Sequence, residues 1–364
     1  MPDRGAAQPA DLELPPNGLP RPGDDVTVYE HSRRLTGTLR GHRHNGRPIV
    51  ESPLEGSADV SSFDCIRLTN AEDALPPNWH RLPDGAGMHM ATQQEVTAFD
   101  ALLAERTPPG PRYRDLIDEI YLRGFEVFVV GGTVRDLLQG LPGRDVDLVT
   151  TMPLAKAQHV LRQMYGSRAV EDPLPAAACR NGHLRLGGRL GTSDPFIDFC
   201  TFKQASIGSS AASFGDSFKR DTENRDFACN AVYYDPVNRV LLDPSGRGVT
   251  DAERGLLTIV ANGNIRSPYQ LGQLVIRFFK FVGRGMTPGV GELDKLVTLV
   301  PNLASMDVIR RAKYVRGQVV DKAAPDRRSE EYTRFRDSWV DLGFEADFVK
   351  YVECERELIL RGSP

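Results

Sequence analysis

The stretch FVVGGTVRDLLQGLPGRDVDLVT, residues 128–150, constrains the fold more than any other part of the chain. Its apolar start, Phe128 to Val130, reads as a strand that ends at the pair Gly131-Gly132, and a short helix is predicted from there through Leu138. A second apolar run, DVDLV, then carries Asp145 and Asp147 where a buried strand ordinarily has Val or Ile. Strand, glycine turn, helix and returning strand predict an α/β unit.

Side chains alternate along a strand, so Asp145 and Asp147 project from the same face. Two carboxylates that close repel unless a cation lies between them. Hard oxygen donors on a shared face suit Mg²⁺, which takes one or two carboxylates together with phosphate oxygens. The competing reading is a pair of exposed turn aspartates, since Gly143 and Arg144 precede them. The glycines add weight to the first reading. A glycine turn opening a helix lets the backbone approach a phosphate, with N–H groups as donors. A tight turn alone accounts for one glycine of the two.

A third carboxylate, Asp198, sits inside PFIDFCTFK, another apolar strand. A charge there is costly without a partner, so a partner is implied. Three strand aspartates around a pair of divalent ions is the arrangement for two-metal phosphoryl transfer. One ion activates the attacking hydroxyl and the other steadies the triphosphate.

At 364 residues, the chain predicts two or three domains. A formal net charge of -4 gives no global basic field that would point to nucleic acid, which leaves only local basic faces. Cys65, Cys179, Cys200, Cys229 and Cys354 are scattered without ligand-type spacing, so neither a zinc site nor a disulfide framework is expected. No run reaches membrane-spanning length and the N-terminus has no signal-like apolar segment, so a cytoplasmic protein without a membrane partner is expected.

Along the chain, residues 1–19 read as a disordered lead. Residues 20–70 hold short alternating runs and the hairpin signal Asn45-Gly46, which predict a small SH3-like β-barrel. Its arginines at 33, 34, 40, 43 and 47 are candidate phosphate contacts, offset by Asp24, Asp25, Glu30 and Glu51. Residues 71–110 read as a Pro- and Gly-containing linker and a helix, so the barrel is expected to be a separately folding, tethered unit. Residues 111–235 carry the α/β pattern, residues 236–285 a neck, and residues 286–364 a helical C-terminal region. In LGQLVIRFFKFVG, Leu271, Leu274, Val275, Phe278 and Val282 share one face of an amphipathic helix.

These residues resemble the family of class II tRNA nucleotidyltransferases (CCA-adding enzymes) and bacterial poly(A) polymerases. The GG-x-VRD-x-L pattern is matched by Gly131, Gly132, Val134, Arg135, Asp136 and Leu138, and Asp145 and Asp147 follow Gly140 at the family's spacing. DTENRDFACNAVYYDP resembles the family's RRDFTINA segment through Arg225, Asp226, Phe227, Asn230 and Ala231. LDPSGRGVTDAERGLLTIV resembles the next block through Asp243, Gly246, Gly248 and Asp251, and IRFFKFVG supplies Arg277 and Phe278. Asp198 falls where the family has its third strand carboxylate. The resemblance covers about residues 115–285 and implies a polymerase-β-like nucleotidyltransferase head followed by a helical neck. It implies that Asp145 and Asp147 bind two Mg²⁺ ions, with Asp198 as the third catalytic carboxylate. It also implies a nucleotide site made of Gly131, Gly132, Arg135, Asp136, Arg225, Asp226, Asn230 and Arg277, with ATP and/or CTP as substrate and an RNA 3′ end, tRNA-like, as acceptor.

The sequence departs from that pattern in places. Asn224 replaces the first Arg of the family's pair, and Cys229 fills a slot that usually holds Ile. The family's base-reading Asp and Arg fall at Pro268 and Leu271. Loss of paired base contacts lowers discrimination by about 1–3 kcal/mol per bidentate pair, so atypical base selection is expected. VIRRAKYVRGQVVDK offers Arg310, Arg311, Lys313 and Arg316 as a phosphate-binding face or a solvated one. Two alternatives stand beside RNA-directed transfer: transfer of NMP to a protein or small-molecule hydroxyl, and a member that binds nucleotide or RNA without catalysis.

Overall fold

Alternation of buried and half-buried side chains builds a large mixed sheet in the first part of the chain, and helices dominate the second. The computed structural model describes residues 20, 22–30, 33–61, 66–68, 82–107, 110–143, 146–166, 170, 172–186, 197–203, 214–260, 267–321 and 323–361. The expected disordered lead, most of the linker, and Asp145 lie outside the described residues. The chain forms two compact units, Met1–Arg225 with Asn230–Val249, and Asp226–Cys229 with Thr250–Pro364.

The first unit begins with β1 (Asp25–Glu30), β2 (Arg33–His42), β3 (Pro48–Ser52), β4 (Gly56–Asp59) and β5 (Ile66–Leu68). They pair antiparallel in the order β5-β1-β2-β3-β4 around a core of Val26, Val28, Leu35, Leu39, Val50, Val60 and Ile66. Among the described side chains here, Arg40 pairs with Glu51 and Arg43 with Asp59. The Pro- and Gly-rich linker predicts a tether. The structure corrects this: His42 of β2 pairs with Phe214 of β11 (Phe214–Gly215), so these strands continue into the central sheet. A hydrogen bond from Ala155 N–H to the His44 carbonyl adds to the joint. Strand pairing between segments this distant in sequence leaves no local pattern to read.

The rest of this unit contains β6 (Gly87–Met90), β7 (Val127–Val130), β8 (Asp147–Thr150), β9 (His183–Leu186), β10 (Ile197–Lys203), β12 (Tyr233–Asp235) and β13 (Val240–Asp243). From the N-terminal strands, the order runs β2-β11-β10-β8-β7-β12-β13-β6, with β9 on β10. β8 is antiparallel to β7 and parallel to β10. Helices α1 (Gln93–Ala104), α2 (Tyr113–Leu122), α3 (Gly132–Leu138), α4 (Leu154–Tyr165), α5 (Ala176–Asn181) and α6 (Phe218–Glu223) connect them. α1 starts where sequence chemistry dictates: Thr92 caps Glu95 N–H and Glu95 reaches back to Thr92 N–H.

Aromatic packing organises one face of the sheet. Phe128, Val130, Val149, Phe202, Phe218 and Tyr233 are buried together, with Cys200 against them. Phe202 stacks on Tyr233 at 5.8 Å between ring centroids, and Phe218 meets Phe128 edge-on at 5.2 Å. Removing one such ring would cost about 3–5 kcal/mol. Two residues before Val149 and Cys200 on their strands stand Asp147 and Asp198, so the apolar face ends at two carboxylates.

In the second unit, α7 (Gly248–Arg254) leads into β14 (Leu256–Leu257), which pairs with β15 (Thr287–Pro288). The predicted amphipathic helix is α8 (Pro268–Val282), opened by a capping box between Ser267 and Gln270 with Pro268 at its first turn. Its buried face holds Leu274, Val275 and Phe278, and Phe279 stacks on Trp339 at 3.6 Å. α9 (Glu292–Leu299), α10 (Val308–Val315), α11 (Arg328–Asp341), α12 (Glu345–Tyr351) and α13 (Arg356–Arg361) complete it. Here the sequence expectation of a phosphate face needs correction at Arg311. That side chain is buried, ion-paired with Glu355, and donates to the carbonyls of Leu303, Met306 and Tyr351. Helical periodicity cannot register a carboxylate partner on the short turn Glu353–Glu355 that precedes α13.

Candidate active site

The glycine turn has a geometric cause. Gly131 lies at φ 83°, ψ −146°, a region open essentially to glycine alone. A Cβ there would stand 2.8 Å from Asp147 Oδ2, closer than carbon and oxygen tolerate. The missing side chain lets the backbone lie directly on the Asp147 carboxylate. Val130 pairs with Asp147 across the strands, which fixes this approach. At Gly132 a Cβ would meet Arg135 Nη2 at 3.4 Å, a contact that a small shift accommodates.

Arg135 and Asp136, neighbours on α3, are bound to each other. Arg135 Nε and Nη2 donate to Asp136 Oδ1 at 2.9 and 2.6 Å, and Nη1 donates to Asn230 Oδ1 at 2.7 Å. The structure thus gathers Arg135, Asp136 and Asn230 into one polar cluster.

Asp198 lies next to Asp147. Phe199 pairs with Leu148 in the parallel ladder, so the aspartates one residue earlier sit on adjacent strands and the same face. Asp198 is only 35% exposed, and the partner its placement implies is present: His183 Nε2 lies 2.8 Å from Asp198 Oδ1, with Arg185 Nε at 3.8 Å from the same oxygen. Both partners come from β9. Sequence reasoning passed over them, although HLRL alternates polar and apolar residues and so declares which face His183 and Arg185 occupy. Beyond them on that face is Cys200, whose thiol burial pushes up to about 12, so it stays protonated and is a poor metal ligand.

Asp147 and Asp198 are hard oxygen donors side by side, a fit for Mg²⁺ rather than for a thiolate-seeking metal. Among the described residues, no group of three or more His, Cys, Asp or Glu side chains is arranged to hold a metal ion. Asp145 lies outside those residues.

Arg225 occupies a different setting. Its Nη2 and Nε donate to Asp221 Oδ2 at 2.8 and 3.1 Å, and its Nε also reaches the Tyr233 hydroxyl oxygen at 3.1 Å. Tyr233 O–H donates to Asp221 Oδ2 at 2.7 Å, and Lys203 N–H donates to Oδ1 at 3.1 Å. Burial by itself would raise the Asp221 carboxyl. Arg225, Lys203 and the tyrosine bond reverse this and hold it below the usual carboxylate range.

The remaining expected nucleotide residues, Asp226 and Arg277, meet within the helical unit. Arg277 Nε donates to Asp226 Oδ2 at 2.7 Å, and Phe227 N–H donates to Asp226 Oδ1 at 2.9 Å. Burial opposes the charge on Arg277, and Asp226 with Tyr314 outweighs it, so its pKa rises.

Residues 127–258 match the poly A polymerase head domain. Over that segment the chain is similar to poly(A) polymerases and CCA-adding enzymes. Poly(A) polymerase I of Haemophilus influenzae is 25% identical over 162 residues, 41% of this chain and 33% of that protein. The multifunctional CCA protein of Xylella fastidiosa is 26% identical over 192 residues, 49% of this chain and 39% of its own. The chain therefore spans well under half the length of these curated relatives. The solved CCA-adding enzyme of Bacillus stearothermophilus in complex with CTP aligns over 68% of this chain and 56% of its own, at 20% identity and a TM-score of 0.45. The family match takes in the glycine turn, Asp147, Asp198, Arg225 and Asp226, and ends before α8.

Proposed function

We propose that this protein is a Mg²⁺-dependent, template-independent nucleotidyltransferase that moves NMP from ATP and/or CTP to an RNA 3′ end of tRNA-like kind. The observation that carries this reading is the Asp147 carboxylate pressed against the Gly131 backbone with Asp198 beside it, inside the head-domain match. Asp145 and Asp147 are the residues that would hold the ion pair, which supplies hydroxyl activation and charge neutralisation on the triphosphate. Asp198 faces the acceptor, and the turn at Gly131 and Gly132 faces phosphate. Arg135, Asp136, Asn230, Arg225, Asp226 and Arg277 serve the nucleotide. The head is of the polymerase-β-like kind, and the strand order β5-β1-β2-β3-β4 supports an SH3-like N-terminal unit. Free thiols at Cys179, Cys200, Cys229 and Cys354 suit a reducing cytoplasm.

Base selection in this reading is relaxed. Pro268 and Leu271 have no side-chain group able to pair with a base edge, and Pro268 instead opens α8. The test is incorporation of each labelled NTP into total RNA and into tRNA lacking its 3′ end. Incorporation of more than one base at comparable rates is expected, and a strict CTP-then-ATP order would overturn relaxed selection.

A second reading, transfer to a protein or small-molecule hydroxyl, draws support from the basic side chains. Arg311 is consumed internally by Glu355, and Arg40 and Arg43 are paired with acids. The same labelling experiment separates the two by the fraction that becomes labelled.

A further inference from the structure

Three side chains of the candidate site arise from one short antiparallel ladder. Asp198 pairs directly with Arg185, and Cys200 pairs with His183. Leu184 and Leu186, with Ile197 and Phe199, are buried on the opposite face, which commits His183 and Arg185 to the face of Asp198. His183 then reaches diagonally along the ladder, and its Nε2–H donates to Asp198 Oδ1 at 2.8 Å. Arg185 Nε stands at 3.8 Å from the same oxygen, a charge contact rather than a hydrogen bond. Both contacts fall on Oδ1, so the carboxylate is gripped by one oxygen only.

We propose that His183, assisted by Arg185, is a positioning residue that fixes the rotation of the Asp198 carboxylate and aims Oδ2 at the acceptor hydroxyl. The inference rests on the reading of Asp198 as the carboxylate that meets the acceptor. In that step the hydroxyl oxygen bonds to the α-phosphorus, the bond from that phosphorus to the β-phosphate oxygen breaks, pyrophosphate leaves, and the hydroxyl proton passes to Asp198 Oδ2. A carboxylate free to rotate would present Oδ2 only part of the time, and a lone donor on Oδ1 removes that freedom. Asp147 on the adjacent strand makes the grip more important, because like charge pushes Asp198 away from it. Donors on β9 act against that push. Side-chain partners of this kind typically change activity by about 10–100-fold when removed.

The experiment compares wild type, Asp198→Ala, His183→Ala and His183→Gln with labelled ATP and CTP on total RNA. His183→Ala is expected to lower kcat about 10–100-fold with the KM for NTP within about twofold. His183→Gln, whose amide nitrogen donates to the same oxygen, is expected to recover to within about fivefold of wild type. An Asp198→Ala enzyme without activity beside a His183→Ala enzyme of unchanged kcat overturns the inference and leaves the reading of Asp198 intact. An active Asp198→Ala enzyme overturns both. A second readout needs no turnover: in protein labelled with ¹⁵N-histidine, the His183 Nε2–H resonance is expected to shift in Asp198→Asn. An identical resonance in both proteins means the bond is absent and also overturns the inference, including in the case where His183→Ala does not fold.

Discussion

Asp198 and Asp221 belong to the same sheet-centred unit, and their surroundings treat them in opposite ways. Asp221 is 4% exposed and accepts from Arg225, Tyr233 and the Lys203 backbone, on both oxygens. Asp198 is 35% exposed and is held through Oδ1 alone. A buried carboxylate bonded at both oxygens has little left to offer a substrate or an ion. One that is gripped at a single oxygen has more. The contrast separates a carboxylate committed to the fold from one that keeps an oxygen available.

Variants can break or sharpen that contrast. The largest effect is expected from Asp221→Ala, which strands the Arg225 guanidinium in the interior and should cost roughly 3–5 kcal/mol of stability, read from urea unfolding. The same group carries a pH signature. Its folded pKa lies below the unfolded value, so its contribution is fully present above the ordinary value of 3.8 and is lost as pH falls through the lower folded value. Stability measured across that acid window should fall in the wild type and show less slope in Asp221→Asn. Asp147→Asn should do the reverse. Nucleotide transfer is expected to drop by at least about a hundredfold while unfolding free energy moves by less than about 1 kcal/mol. If Asp147→Asn unfolds as readily as Asp221→Ala, the division between the two kinds of carboxylate fails.

Gly131→Ala tests the junction between fold and chemistry. The φ of 83° and the 2.8 Å approach to Asp147 Oδ2 both oppose a methyl group, so about 1–3 kcal/mol of stability should go, accompanied by loss of transfer. Thermal unfolding beside an activity assay reads both. Tyr233→Phe is the mildest variant. It deletes one donor to a carboxylate that keeps its others, at a cost of about 1 kcal/mol in denaturant unfolding, with transfer within a fewfold of wild type.

Much of this was legible in residue order. The run from Phe128 to Val149 announces strand, turn, helix and strand because glycine and Asp are expensive in those places unless geometry or chemistry needs them. The amphipathic helix around Arg277 was equally plain, since a 3.6-residue period survives without tertiary context. What stayed hidden depends on pairing between distant segments. The role of Asp221 required Tyr233 and Arg225 to converge on it, and Asp226 displays its Arg277 partner only once α8 is in place. Arg311 read as a surface cation because its carboxylate, Glu355, comes from another helix. His183 was within reach of a sequence argument, because its strand alternates cleanly, but nothing local said that β9 pairs with the strand of Asp198.

The pairing of His42 with Phe214 bears on how the edges of the sheet are closed. Modules joined by a flexible string can be cut away or exchanged at the string. Here, β11 is shared: it pairs with β2 on one side and with β10, the strand of Asp198, on the other. Excising the N-terminal strands would leave β11 with unpaired hydrogen-bonding groups on the outer side, next to the strand of Asp198. The N-terminal strands therefore cover an edge that would otherwise lie open to pairing with another chain.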